Sequence, residues 1–140
     1  MNISLNCLDM AKIKSKAYGK KIWSGSAGYI PLYSTGVEPR FTSNDRIAML
    51  NTGKLKATIL LTIFYEDREP VDRYELEVKP GRVRKIKFND LIDPLPIPLQ
   101  RPYGFKLESD EKIIVQFSKT VTAGKNIAGF ISTPYAARKI

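Results

Sequence analysis

The chain has 140 residues, no histidine and a single cysteine. This composition closes off histidine-dependent catalysis, histidine metal ligation, cysteine zinc sites and an intramolecular disulfide. A formal charge of +9 raises the possibility of an anionic partner, but residues 1–21 hold +4 of it and Arg138–Lys139 another +2, leaving +3 on the body. Basic ends of this kind can hold phosphate backbones or an anionic membrane surface by charge alone, and otherwise serve as solvated extensions.

A chain this long suits one domain that folds without covalent staples. No run approaches the ~20 apolar residues of a membrane helix. Lys12, Lys14, Lys16, Lys20 and Lys21 occupy the place of a secretory signal's apolar stretch. The expectation is a soluble, cytoplasmic protein: residues 1–21 form a flexible basic extension, 22–137 the domain and 138–140 a basic tail. Cys7 reads as an incidental thiol.

In chain order, Trp23, Tyr29, Tyr33 and Phe41 come first, interleaved with Gly25, Gly28 and Gly36. The segment reads as a loop. Aromatics beside glycines on a loop can stack against a sugar ring or another flat apolar face, or else plug the end of a sandwich or pack a subunit interface. A strand follows over 45–51. The clearest strand covers 56–65, where Ala57, Ile59, Leu61, Ile63 and Tyr65 share one face at period two.

After a break at Asp67–Pro70, residues 73–88 read as a hairpin around Pro80–Gly81. A three-residue loop would pair Leu76 with Ile86 and Tyr74 with Phe88, setting Glu77 opposite Lys85 and Glu75 opposite Lys87. That register makes the basic run 82–87 a charge-paired outer face. Residues 89–98 carry proline at alternate positions, which predicts an extended path packed along the domain or a neighbouring subunit. Further strands are predicted at 104–107, 112–118 and 127–133. There is no internal repeat and no amphipathic helix, so the fold class is an all-β antiparallel sandwich of one domain.

Chemistry is sparse. Asp90 with Asp93, or Glu66, Asp67 and Glu69, could supply a carboxylate pair, but both groups sit at predicted turns, where acids are solvated or cap backbone amides. No phosphate-binding loop or dinucleotide fingerprint occurs. The reading is a non-enzymatic binding module with no catalytic residue, metal or cofactor. Its candidate ligand contacts are the aromatics Trp23, Tyr29 and Tyr33, with Asn51, Arg84, Asn89 and Gln116 as polar suppliers.

Several segments taken together resemble the Anabaena-type sensory rhodopsin transducer family. They are Trp23, Gly28-Tyr29-Ile30-Pro31, Glu38-Pro39-Arg40-Phe41, Leu50-Asn51, Tyr65 and Glu69-Pro70-Val71. They continue with Phe88-Asn89-Asp90-Leu91, Asp93-Pro94, Pro96-Ile97-Pro98, Ile114-Val115-Gln116, Ser132-Thr133 and Tyr135-Ala136. The resemblance spans residues 22–136 and implies a small β-sandwich assembling as a cyclic homotetramer. It also implies a cytoplasmic transducer coupled to a membrane receptor, with DNA binding proposed for the founding type. The wider family resembles small-molecule binding domains, with carbohydrates or related metabolites as ligands, and brings no catalytic residues. Two departures are visible: Phe117 follows Gln116 where the founding type carries histidine, and Lys119 stands where an arginine is expected.

Overall fold

A computed structural model describes residues 16–32, 42–122 and 128–138. Among them the elements run β1 (Lys20–Gly28), β2 (Asn44–Asn51), β3 (Ala57–Tyr65), β4 (Val71–Val78) and β5 (Arg82–Lys87). A 3-10 turn, Phe88–Asp90, leads on to β6 (Tyr103–Val121), β7 (Ala128–Ser132) and β8 (Tyr135–Ala137). The long strand β6 organises everything else. Its first half pairs antiparallel with β3 and β1, and its second half with β2 and β7. Two sheets result, β4-β3-β6-β1-β8 and β5-β2-β6-β7, both containing β6.

The sandwich core lies between them. From one sheet come Ile59, Leu61, Ile63, Trp23, Leu107 and Tyr74; from the other come Ile47, Met49, Val115 and Phe117. β3 keeps its predicted alternation, with Ala57, Ile59, Leu61 and Ile63 fully buried. Phe88 sits at the hub of an aromatic cluster, its ring centroid 5.3 Å from those of both Tyr103 and Phe105 and 6.2 Å from that of Phe117.

Three local expectations are corrected, and one strand is added. The hairpin over 73–88 does not form. β4 pairs with β3, β5 pairs with β2, and the Pro80–Gly81 turn carries the chain from one sheet to the other. Leu76 lies opposite Ile59 and Ile86 opposite Ile47, so both meet the common core from opposite sheets instead of pairing with each other. The strands at 104–107 and 112–118 are one. The polar residues between them satisfy backbone groups locally: Asp110 accepts the Thr58 amide at 2.8 Å and Ser109 Oγ the Glu111 amide at 3.3 Å.

The segment from Trp23 to Gly28 is a strand, not a loop. Its glycines serve close packing. A Cβ at Gly25 would lie 2.5 Å from the Phe105 ring, and one at Gly28 2.3 Å from the Tyr103 ring. Finally, β8 follows β7 closely and pairs with β1, an addition that its short polar-flanked sequence did not announce. The proline-rich stretch does pack along the domain. Ile97 is buried, Leu95 O accepts from the Tyr74 hydroxyl, and the Gln100 amide donates to Ile30 O at 2.8 Å.

Candidate functional site

The residues nominated from sequence are dispersed. Trp23 is only 5% exposed, and its indole N–H donates to Lys20 O at 3.0 Å and Ile113 O at 3.2 Å. Asn51 is fully buried and locks the turn after β2. Its amide donates to Leu55 O at 2.8 Å and Val78 O at 3.1 Å, while its oxygen accepts the Gly53 amide at 3.0 Å. Arg84 spans the two sheet edges, donating to Glu77 O at 2.9 Å. Gln116 is exposed on the outer face beside Ala48. Tyr33 and Phe41 lie outside the described residues.

Tyr29 and Asn89 do converge, and on a residue the sequence did not single out. Asp45 is buried at the start of β2, with its carboxylate fully used. Oδ2 accepts the Tyr29 amide at 2.9 Å and the Tyr103 hydroxyl at 2.6 Å, and Oδ1 pairs with Lys119 Nζ at 2.7 Å. Lys119 also donates to Tyr29 O at 2.7 Å. The Asp45 amide donates to Asn89 Oδ1 at 3.4 Å, and Asn89 Nδ2 donates to Ser43 O at 3.2 Å.

Side-chain exposure is 12% for Lys119 and 1% for Asp45, so this is a desolvated ion pair that needs each of its hydrogen bonds. Burial pushes the Tyr103 hydroxyl far above the ordinary tyrosine range, and the Asp45 carboxylate pushes it further. Tyr103 is therefore a permanent donor. With its acceptor sites occupied, Asp45 ties the end of β1 to β2, β6 and the 88–90 turn.

A cleft of about 390 Å³ opens elsewhere, beside β1 and the connection between β7 and β8. Its walls are Ser24–Ala27 of β1 and Ser132–Tyr135, and the buried Phe105 and Phe117 of β6 line it from behind. Strand pairing sets these parts: Phe105 lies opposite Gly25, Phe117 opposite Ser132, and Tyr135 opposite Ser24. The bare Gly25 lets the Phe105 ring come close to the strand. Among the described residues, the hydroxyls of Ser24, Ser26, Ser132, Thr133 and Tyr135 make no hydrogen bond. Tyr135 is 73% exposed. Ser132-Thr133 and Tyr135 were legible only through the family resemblance; nothing in their spacing marks them as a site.

No group of three or more potential metal-ligating side chains occurs among the described residues. No helix of the described residues is long and apolar enough to cross a membrane.

This fold and its sequence match a known group. The Anabaena sensory rhodopsin transducer family matches residues 18–136. The chain belongs to that family. It is 40% identical to the solved Anabaena sensory rhodopsin transducer, with a TM-score of 0.68 over 74% of this chain and 99% of that one. It is 27% identical to a solved protein of Thermotoga maritima, Thermotoga maritima 1070, with a TM-score of 0.72 over 85% of this chain and 96% of that one. No curated protein matches the chain.

Proposed function

We propose that this member of the transducer family is a non-enzymatic sensory or regulatory module that binds a small polar metabolite, a carbohydrate, in the cleft beside Tyr135. The observation that carries the reading is the exposed Tyr135 ring beside hydroxyls that have no partner among the described residues, with the buried Phe105 and Phe117 lining the cleft behind them. A sugar has the matching character: hydroxyls at its rim and apolar C–H faces that stack on aromatic rings. The cleft volume falls in the range of small-ligand sites. None of the described residues nominated from sequence lines this cleft. A thermal-shift screen across sugars and nucleotides tests the reading. A sugar at millimolar concentration should raise Tm, and Tyr135→Ala should abolish the shift. A panel without any stabilising sugar would refute it.

A second reading, self-association, draws on β7. All five of its residues are exposed, including Phe130 at 50% and Ile131 at 71%. Apolar side chains on both faces of a strand suit burial against another copy, as in a homo-oligomer of the tetrameric kind, or against a membrane receptor. Light scattering should give a multiple of the chain mass of 15.8 kDa, and Ile131→Glu should reduce it. A monomeric wild type would leave β7 to a receptor.

A further inference from the structure

The unpaired hairpin has a chemical consequence. Had β4 and β5 paired, Glu75 and Glu77 would neutralise the basic run of β5. Instead Glu77 pairs with Lys56 at 3.2 Å, and β5 lies against β2, where Lys87 falls directly opposite Arg46 and Lys85 opposite Ala48. Like charges directly opposite each other on one sheet face repel. No carboxylate lies within ion-pair distance of Arg46, Arg84, Lys85 or Lys87 among the described residues. Arg46 Nε is buried and has no hydrogen-bond partner among the described residues.

These four cations border one groove of about 460 Å³, on the side of the sandwich away from the Tyr135 cleft. It runs between β4 and β5, the end strands of their sheets. Its floor is apolar, formed by Leu76, Ile86 and Leu91, and Asp90 is its one acid. A basic rim over an apolar floor is amphipathic in a particular way: it suits a molecule with an anionic head and an apolar body.

We propose that this groove is a second binding site, for a small organic phosphate. The excess of cations over the single carboxylate calls for more than one negative charge. A phosphate monoester carries between one and a half and two near pH 7. Its three oxygens can take charge-assisted hydrogen bonds from the guanidinium groups and ammoniums together. The Arg46 guanidinium, with its unpartnered Nε, is the anchor; Lys85 and Lys87 supply field and donors; Leu76, Ile86 and Leu91 take the apolar body. The phosphate would also relieve the repulsion between Arg46 and Lys87.

The probes are phenyl phosphate, inorganic pyrophosphate and the monoanion phenylacetate, titrated calorimetrically into the full chain at low and high salt. Phenyl phosphate should bind best and weaken with salt. Lys85→Gln/Lys87→Gln should weaken it by about tenfold or more, the scale of losing charge-assisted bonds. A control of equal charge loss, Lys20→Gln/Lys21→Gln, should stay within about twofold of wild type, the range left to screened long-range charge. Lys20, Lys21 and Lys85 are exposed and Lys87 is half-buried; none belongs to the core, so both variants should fold. Equal weakening by the control would mean that net charge alone attracts the anion and would overturn the site. So would absence of phenyl phosphate binding at low salt. Binding of duplex DNA without binding of phenyl phosphate would replace the small-molecule site with a nucleic-acid surface.

Discussion

The corner around Asp45 and the cleft beside Tyr135 are built from similar side chains and use them in opposite ways. At the corner, hydroxyl, amide, ammonium and carboxylate are turned on one another. Each Asp45 oxygen is occupied, and the Tyr103 phenol is held protonated by burial. At the cleft, the hydroxyls of Ser24, Ser26, Ser132, Thr133 and Tyr135 make no hydrogen bond within the described residues. A polar group whose partners lie within the fold contributes to folding. One left open to water at a concave surface remains available to a ligand. Substitutions at the corner should therefore cost stability, and substitutions at the cleft should cost ligand response.

The largest expected effect is at Lys119. Lys119→Ala strands the buried Asp45 carboxylate and should lower unfolding free energy by about 3–5 kcal/mol, measured by urea denaturation. A loss below 1 kcal/mol would mean that water already serves the carboxylate.

Next is Gly28→Ala, whose Cβ would be driven to 2.3 Å from the Tyr103 ring. Overpacking of this kind costs about 1–3 kcal/mol, and Tyr103 would be forced off Asp45. Unchanged stability would show that the ring has room to move.

Tyr103→Phe keeps the packing and removes the donor, for a loss of about 1–3 kcal/mol. It also changes the alkaline limb. The folded pKa of Tyr103 is raised above its ordinary 10.0, so the unfolded chain gives up that proton first. Its contribution is intact below pH 10. Above that, the folding constant falls by about tenfold per pH unit for this one group. Tyr103→Phe should flatten that limb in pH-resolved melts; an identical slope would assign the effect to other groups. Smallest of all should be Tyr135→Ala, which removes an exposed ring and should change stability by less than about 0.5 kcal/mol.

The sequence made the sandwich readable wherever burial imposes period two, as in β3 and in the Ile113, Val115, Phe117 stretch of β6. It misled at residues 73–88, because pairing charges across a local turn is only one way to use an alternating strand. Leu76 and Ile86 reach the same core from different sheets, and no local pattern distinguishes that arrangement from a hairpin. The site was less legible. Trp23 looked like a stacking platform because aromatics and glycines occur together in β1. The glycines are there so that the Phe105 and Tyr103 rings can approach. Asp45 and Lys119 are 74 positions apart, and only the pairing of β2 with β6 makes them partners. The cleft hydroxyls come from β1, β7, β8 and the residues between the last two, joined by the pairing of β1 with β6 and β8 and of β6 with β7.

The division between a corner that folds and a cleft that binds is tested most directly by one thermal-shift comparison. Wild type, Tyr135→Ala and Lys119→Ala are melted with and without the best sugar of the panel. The account predicts that Lys119→Ala melts lower but keeps the ligand-induced rise, whereas Tyr135→Ala melts near wild type and loses it. If Tyr135→Ala keeps the rise, or no sugar produces one, the cleft is not the binding site.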